Sequence, residues 1–326
     1  MIEILLKEWI EQVKYYIHLI ADYSIKESQV GAVLDDVLNL SGKMLRSKLL
    51  LLCAFLGSNW KNNKEKICKL AAMVELTHLA SLIHDDIVDD SPYRRGKVSV
   101  QGKYGKDAAV FAGDFLIARI FYYGAVENLN EAVSILSKTV EYMCIGEIEQ
   151  DLCRYQEDIS EKKYFENIER KTAALFQAAS YIGAKEAGCS EEIIQKLELF
   201  VKNLGLMFQL KDDILDFTSN SKELGKETHK DFQNGIYTFP VIMALKNLKA
   251  KEVLLPIMRK NKEEKLSLAE ILQLQNYIIQ FGGIEASYEK IKYLSNINRQ
   301  LIKELGQNSK ITVYLEKILN DLEVKN

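Results

Sequence analysis

The sequence has 326 residues, of which 48% are hydrophobic and 27% are charged, with a formal net charge of −3. This length allows one large domain or two smaller ones, each with a sizeable core. The slightly negative charge supplies no overall basic field that would attract nucleic acid or an acidic membrane, so an anionic ligand needs a local cluster of cations.

The five cysteines are scattered, with no CxxC spacing and no histidine close by, which argues against a zinc site and a disulfide framework. They indicate free thiols in a reducing cytosol. Residues 1–16 are apolar but interrupted by Glu and Lys, unlike a signal peptide. No stretch reaches the about 18 uncharged apolar residues of a membrane span. We therefore expect a cytoplasmic protein without stable membrane insertion.

Only three prolines occur, and the chain is rich in helix-forming residues. Apolar residues recur three and four positions apart in several stretches, which predicts helices over 43–57, 67–90, 107–127, 130–155, 160–188, 190–219 and 235–250. Turn signals at Ser41-Gly42, Ser91-Pro92 and 219–221 separate some of them. Without a long linker or an internal repeat, the pattern predicts a single all-helical domain over 1–326.

Two of these predicted helices end in an Asp-Asp-x-x-Asp motif, at 85–89 and 212–216. The first and last aspartates of each motif are four residues apart and therefore share a helical face. Their mutual repulsion, and the negative end of the helix dipole, would both be relieved by a divalent cation. Oxygen ligands without sulfur favour Mg²⁺, which usually joins one or two carboxylates to substrate phosphates. The motifs therefore predict a magnesium site for a phosphorylated ligand.

Cations that could bind such a ligand occur in four places. The segment 42–46 is predicted to open a helix, where backbone N–H groups also attract anions. Arg94 and Arg95 follow the first aspartate motif, and Lys171-Thr172 and Gly225-Lys226 supply further donors. A single Lys or Arg on a helix is usually a solvated charge, but proximity to Gly, Pro or an aspartate motif favours a functional interpretation.

The segments around these residues resemble the trans-isoprenyl diphosphate synthase family. The resemblance runs in order over about 40–245 and rests on GKMLR (42–46), ELTHLASLIHDDIVDDSPYRRG (75–96), AAVFAGDFLIAR (108–119), GEIEQ (146–150), KTAALF (171–176), QLKDDILDF (209–217) and GKETHKDFQNGIYTFPVIMAL (225–245). Within the family the chain most resembles long-chain synthases, such as the catalytic subunit of heptaprenyl diphosphate synthase. Ser47 and the C-terminal LEVKN depart from the pattern, which usually has proline at the first position and, in many members, an arginine-rich end.

The resemblance implies an all-helical bundle with a central substrate cavity, and a Mg²⁺-dependent head-to-tail condensation of isopentenyl diphosphate with farnesyl or geranyl diphosphate. Three Mg²⁺ ions would bind with the substrate. The implied metal ligands are Asp85, Asp89 and Asp212, which with Lys171 form the catalytic set, and Asp86, Asp213 and Asp216 complete the motifs. The isopentenyl diphosphate would be bound by Lys43, Arg46, His78 and Arg95. The allylic diphosphate would be bound by Arg94, Lys171, Thr172, Gln209 and Lys226.

Product length is expected to depend on Ala80 and Ser81, about one helical turn before Asp85. In short-chain members a bulky aromatic residue here closes the tunnel, so these small residues predict a product of about six to eight isoprene units. Bulky residues on neighbouring helices would then form the floor, with Phe121, Tyr122 and Met143 as candidates. The resemblance also implies a homodimer, for which 108–123 is a candidate interface helix.

Several alternatives stay open. The enzyme could be a short-chain farnesyl or geranylgeranyl diphosphate synthase, or a catalytic subunit active only with a small accessory subunit. The His84-Asp85 pair superficially resembles metal phosphohydrolases of the HD type, although four histidines are few for such a site. A terpene cyclase would more often carry a single aspartate-rich motif, and a non-catalytic subunit would often have lost aspartates.

Overall fold

The computed structural model describes residues 2–22, 28–39, 42–94, 96–218, 230–306 and 310–323, except the side chain of Lys230. The described residues form helices connected mostly by short turns. In chain order the elements are α1 (Ile2–Ile20), α2 (Gln29–Leu38), α3 (Leu45–Ala54), α4 (Lys64–Val88), β1 (Tyr93–Arg94), β2 (Lys97–Val98), α5 (Val100–Tyr104), α6 (Lys106–Val126), α7 (Asn130–Leu152), α8 (Glu161–Ile168), a π-helical segment (Glu169–Ala173), α9 (Ala174–Glu186), α10 (Glu191–Thr218), α11 (Lys230–Gln233), α12 (Phe239–Ala244), α13 (Leu248–Glu263), α14 (Leu268–Gln280), α15 (Gly283–Glu304) and α16 (Lys310–Leu322).

This architecture confirms the all-helical prediction, and two predicted helices are interrupted. The helix expected over 160–188 contains the π-helical segment. The helix expected over 235–250 is two helices, because Pro240 occupies the first turn of α12 and Asn247 starts α13 afresh. The Asn247 side chain accepts a hydrogen bond from the Lys249 amide at 3.0 Å, which is the role of an N-cap.

The chain divides into two compact units, and the prediction of a single domain over 1–326 stays a prediction. The first unit comprises Met1–Val140, Leu175–Leu199 and Ser309–Ile311. Its centre is α4, which packs against α1, α3 and α6. Gly183 of α9 allows a close approach to α3, since a Cβ atom there would lie 2.2 Å from the carbonyl oxygen of Leu50. Helix α4 carries the first aspartate motif at its C-terminal end.

The second unit comprises Glu141–Ala174, Phe200–Asn308 and Thr312–Asn326. In this unit α12 packs against α15, and α14 packs against both α13 and α15. The C-terminal part of α10 is tied to α15 through two buried asparagines: Asn203 Nδ2 donates to Asn298 Oδ1 at 2.9 Å, and Asn298 Nδ2 donates to the Phe200 carbonyl at 3.0 Å. Helix α10 carries the second aspartate motif at its end.

Among the helices that the structure describes, α4 and α6 are long and apolar enough to cross a membrane by length and composition alone. In α4, 72% of the most apolar window is buried inside the protein. A mostly buried helix of this kind is what the core of a globular protein requires, so the apolar character of α4 is explained by its packing.

Candidate active site

The first aspartate motif separates into buried and more exposed positions, as its helical spacing predicts. Asp86 is buried, and Arg94 Nε donates to both of its carboxylate oxygens at 2.8 Å. Gln101 Nε2 also donates to the Asp86 carbonyl at 2.5 Å. Asp85 is half-buried and Asp89, the C-cap of α4, is exposed. Asp86 therefore serves the local fold, while Asp85 and Asp89 remain accessible to a ligand.

The hairpin formed by β1 and β2 explains how Arg94 reaches the motif. Arg94 in β1 pairs with Lys97 in β2, and Pro92 lies directly before β1. The Arg94 side chain is largely buried against Asp86, so the guanidinium stays beside the end of α4. Its predicted contact with the allylic diphosphate stays a prediction, and Arg95 lies outside the described residues.

Two of the residues predicted to bind isopentenyl diphosphate are in direct contact. Arg46 Nη1 donates to His78 Nε2 at 2.9 Å, and the Arg46 guanidinium lies 4.5 Å from the centre of the Phe176 ring. A guanidinium can only donate, so His78 Nε2 accepts and the imidazole is neutral with its proton on Nδ1. Lys43 is exposed just before α3, where Met44 adopts a left-handed conformation with φ of 50°. The structure thus brings Arg46 and His78 together, with Lys43 on the adjoining turn.

Ser47, which departs from the family pattern, has a specific environment. Its buried hydroxyl oxygen lies 2.9 Å from Glu75 Oε2 and 3.0 Å from the Ala71 carbonyl. Glu75 is itself buried. A proline at this position would have no hydroxyl to donate to these two acceptors. The serine and the glutamate form a buried pair that the sequence analysis did not predict.

The residues predicted to control product length lie in the C-terminal half of α4. Ala80 is fully buried, and Ser81 is half-buried with its hydroxyl donating to the His78 carbonyl at 2.9 Å. Of the three candidate floor residues, Phe121 and Met143 are half-buried, whereas Tyr122 is 60% exposed and lies at the surface. The role of these residues stays a prediction.

The second aspartate motif shows the same division. Asp213 is buried, with 1% of its surface exposed, whereas Asp212 is exposed and Asp216 is half-buried. Tyr164 Oη donates to Asp213 Oδ2 at 2.5 Å, and Gln209 Nε2 donates to Asp213 Oδ1 at 2.9 Å. Burial raises the pKa of Asp213 to about 7, although the hydrogen bonds from Tyr164 and Gln209 act in the opposite direction.

The π-helical segment carries the predicted pair Lys171 and Thr172. Thr172 Oγ1 donates to Gln209 Oε1 at 3.0 Å, and Lys171 Nζ lies 3.0 Å from Glu147 Oε1. The segment is approached closely from both sides. A Cβ atom on Gly205 would lie 2.7 Å from the Cα atom of Ala173, and one on Gly146 would lie 3.0 Å from the Lys171 amide nitrogen. These two glycines allow α7 and α10 to pack directly against the segment.

An ion-pair network surrounds this segment. Glu149 accepts hydrogen bonds from Lys163 Nζ at 3.0 Å and from Arg170 Nη1. These two bonds, with Lys163 the larger cause, hold the pKa of Glu149 below its usual value. Glu147 and Glu149 belong to the GEIEQ stretch (146–150), which carries part of the family resemblance, but nothing local in the sequence identifies their cationic partners.

The donor set of the two motifs fits a hard cation. Among the described residues, no group of three or more His, Cys, Asp and Glu side chains is arranged to hold a metal by itself. A Mg²⁺ ion that binds together with substrate phosphates needs only one or two carboxylates, and each motif, taken by itself, leaves its first and last aspartates at least partly exposed. Lys226, predicted to bind the allylic diphosphate, lies outside the described residues.

Comparisons with known proteins agree with these features. Residues 27–275 match the family model described as polyprenyl synthetase. The heptaprenyl diphosphate synthase component 2 of Geobacillus stearothermophilus is 34% identical over 265 residues, which are 80% of this chain and 80% of that protein. The short chain isoprenyl diphosphate synthase of Methanocaldococcus jannaschii is 36% identical over 263 residues, 77% of this chain and 78% of that protein.

Among solved structures, the polyprenyl synthase from Caulobacter crescentus, complexed with calcium and isoprenyl diphosphate, superposes with a TM-score of 0.87. It is 28% identical, and the match covers 98% of this chain and 96% of that one. With two aspartate motifs at the ends of α4 and α10, an all-helical fold, and these matches in sequence and structure, the chain is a prenyltransferase that belongs to the polyprenyl synthetase family.

Proposed function

We propose that this protein is a trans-polyprenyl diphosphate synthase that condenses isopentenyl diphosphate with an allylic prenyl diphosphate in the presence of Mg²⁺. The observation that carries the proposal is the common arrangement of the two aspartate motifs. In each motif the middle aspartate is buried and hydrogen-bonded, and the first and last aspartates are at least partly exposed. The buried middle aspartates are satisfied by protein partners, so the first and last aspartates are the carboxylates that a ligand can reach.

The accessible aspartates Asp85 and Asp89, together with Asp212, are the proposed ligands of Mg²⁺. When bound, the metal neutralises the diphosphate and makes it a better leaving group. The ion count of three is implied by the family resemblance. In the crystal structure of the Caulobacter crescentus relative, the divalent ion present is calcium.

Cationic side chains complete the proposed binding of the two diphosphates. The neutral His78 accepts from Arg46 and thereby fixes the orientation of the guanidinium, which suits a bidentate contact with the diphosphate of isopentenyl diphosphate. Lys43 and Arg95 are proposed to assist. Lys171, held by Glu147, and Lys226 are proposed for the allylic diphosphate together with Arg94, Thr172 and Gln209.

The proposed order of events begins with departure of the diphosphate from the allylic substrate. The double bond of isopentenyl diphosphate then attacks the allylic cation, and the proton lost is taken up by the departing diphosphate. No histidine is required as a base, and the neutral His78 is already engaged with Arg46. His84 Nε2 is directed to α6, at 3.4 Å from both Asp114 Oδ1 and the Val110 carbonyl oxygen, which also argues against a phosphohydrolase of the HD type.

The small residues Ala80 and Ser81 support a long product of about six to eight isoprene units. The relatives include both a heptaprenyl synthase component and a short chain synthase. A short-chain product, farnesyl or geranylgeranyl diphosphate, is therefore the alternative. For the long product, the proposed allylic substrate that starts elongation is farnesyl or geranyl diphosphate.

A homodimer in the cytoplasm is the proposed state. The support is the row of exposed apolar side chains on α6, including Phe111 at 71% exposure and Tyr122. The relative from Geobacillus stearothermophilus is named as component 2 of its synthase, so a heteromer with a small accessory subunit is the alternative for this chain.

One assay tests the proposed function. The purified protein is incubated with Mg²⁺, labelled isopentenyl diphosphate and farnesyl diphosphate, and the products are separated by chain length. We expect elongated prenyl diphosphates that disappear when the metal is chelated. Complete inactivity in the presence of every allylic primer, alone and with cell extract to supply a second subunit, would contradict the proposal.

A further inference from the structure

Tyr164 is a buried tyrosine of α8 for which the sequence predicted no role. Its side chain is 7% exposed, and its ring packs against Phe165 and Phe239 with centroid distances of 5.2 and 5.5 Å. Burial, together with the nearby negative charge of Asp213, raises the pKa of Tyr164 well above its usual value. The hydroxyl therefore keeps its proton and acts as a donor.

The hydroxyl of Tyr164 begins a chain of hydrogen bonds with a fixed direction. Tyr164 Oη and Gln209 Nε2 donate to the two different oxygens of Asp213, at 2.5 and 2.9 Å. The nitrogen of the Gln209 amide therefore faces Asp213, and its carbonyl oxygen faces Thr172. Thr172 then donates its single proton to Gln209 Oε1 at 3.0 Å.

The backbone around these hydrogen bonds is also constrained. Gln209 lies about one helical turn after Gly205, where α10 approaches the π-helical segment. This approach places Thr172, within the segment, beside Gln209. The amide of Gln209 could rotate by half a turn without a change in backbone, so the orientation of its polar atoms depends on its hydrogen-bond partners, Asp213 on one side and Thr172 on the other.

We infer that Tyr164 is a positioning residue for the allylic diphosphate site: its hydroxyl fixes the Asp213 carboxylate, which fixes the Gln209 amide and through it the Thr172 hydroxyl. The inference rests on the proposed function, because Gln209 and Thr172 matter for catalysis only if they contact that substrate. Without the Tyr164 hydroxyl, the Asp213 carboxylate can rotate. The Gln209 amide then no longer has an acceptor in a fixed position to set its orientation. Loss of alignment in groups that hold a substrate in its reactive geometry lowers the rate of the chemical step.

The first test is kinetic and uses Tyr164→Phe with Tyr237→Phe as the matched control. Tyr237 is also buried, at 3% exposure, and its hydroxyl donates to a backbone carbonyl, that of Met258, at 3.4 Å. We expect Tyr164→Phe to lower kcat about tenfold with little change in KM for isopentenyl diphosphate. The control should change kcat less than about twofold. Equal losses in both variants would mean that Tyr164 is merely structural.

A double-mutant cycle tests whether Tyr164 acts through Gln209. In a Gln209→Met background the amide is absent, so adding Tyr164→Phe should cost less than about a further twofold in kcat. If the fold-losses in kcat of the two single variants multiply in the double variant, the two residues act independently. That result would overturn the inference that Tyr164 acts through Gln209.

A measurement that needs no activity separates this inference from the proposed function. Selective ¹⁵N labelling of glutamine, with Gln209→Met for assignment, reports hydrogen exchange of the Gln209 side-chain amide. In the wild type we expect this exchange to be at least about tenfold slower than for the exposed Gln300. Tyr164→Phe should abolish the protection and Tyr237→Phe should preserve it. Rapid exchange in the wild type would overturn the positioning role even in an active enzyme. Slow exchange in a protein without prenyltransferase activity would instead refute the proposed function alone.

Discussion

Glu147 holds Lys171 by an ion pair in which Oε1 and Nζ are 3.0 Å apart. Lys171 is a proposed ligand of the allylic diphosphate, and both side chains are partly buried, so the pair restricts the positions that the ammonium group can take. We expect Glu147→Gln to raise KM for the allylic diphosphate by about three- to tenfold, because the lysine must be ordered on binding. Steady-state kinetics with varied allylic substrate provides the measurement.

Glu166→Gln is the control for this prediction. Glu166 pairs with Lys162 at 3.7 Å on the exposed side of α8, where an ion pair contributes little. Its removal should leave KM unchanged. A Glu147→Gln enzyme with wild-type KM would show that Lys171 does not depend on its partner.

The two kinds of aspartate in the first motif should respond differently to substitution. Asp86→Ala removes the partner of the largely buried Arg94, and we expect a loss of about 3 kcal/mol in the free energy of unfolding. Asp89→Ala, at an exposed position, should change stability by less than about 0.5 kcal/mol but lower turnover by orders of magnitude. Urea unfolding and the prenyltransfer assay measure the two effects. A stable Asp89→Ala enzyme with near-normal turnover would refute the metal assignment.

Product length should shorten when the buried face of α4 is filled. Ala80→Phe adds bulk about one turn before Asp85 without changing a proposed ligand. We expect the products to stop at farnesyl or geranylgeranyl diphosphate, at a stability cost of about 1–3 kcal/mol. Chromatography of the dephosphorylated products gives their length, and Ala80→Ser serves as the control that keeps it. Unchanged product length in a folded Ala80→Phe enzyme would remove this residue from the tunnel.

The cysteines should differ sharply in their reaction with iodoacetamide. Burial raises the pKa of Cys53 to about 12 and that of Cys68 also to about 12, so neither forms appreciable thiolate at pH 8. Cys144 is exposed on α7, so the reagent reaches it, although desolvation and the charge of Glu147 also raise the pKa of its thiol. Peptide mapping after brief labelling should find Cys144 modified, with Cys53 and Cys68 modified only in denaturant. Early modification of Cys53 would indicate that the core of the first unit opens readily.

The exposed apolar row of α6 should determine the oligomeric state. Phe111→Glu places a charge in the proposed interface, and we expect it to convert a dimer into a monomer in sedimentation experiments at micromolar concentration. Tyr293→Glu is the control, because Tyr293 is similarly exposed but lies on α15. A wild-type protein that is already monomeric would reject the homodimer. Activity that appears only with a second protein would favour the heteromer.

Local spacing explains which features could be predicted from the sequence. The four-residue separation within each aspartate motif predicted a shared helical face for its first and last aspartates, and the structure leaves Asp85, Asp89 and Asp212 at least partly exposed. The start of α3 next to Lys43 and the end of α4 were likewise predicted from turn signals and apolar periodicity, while the turn predicted at 219–221 lies outside the described residues. These features depend on neighbouring residues alone.

Contacts between distant parts of the chain could not be predicted in this way. Tyr164 and Asp213 are 49 residues apart, and Ser47 and Glu75 are 28 apart. Neither pair produces a periodic pattern in the sequence. Each partner is a single polar residue among the apolar residues of its own helix, and nothing nearby in the sequence points to the other partner. The π-helical segment escaped prediction for a related reason: the glycines that accommodate it, Gly146 and Gly205, belong to other helices.

The π-helical segment also sets the rotational phase between Tyr164, which precedes it on α8, and Thr172, which lies within it. Each residue of a helix turns the chain by about 100° around the axis, and a wider π-turn changes that phase. Both side chains reach α10, Tyr164 at Asp213 and Thr172 at Gln209. In a regular α-helix, the eight residues from Tyr164 to Thr172 would leave the two side chains about 80° apart around the axis, whereas the wider π-turn absorbs the additional residue. The segment therefore lets two side chains at a spacing that a regular helix would not align both reach α10.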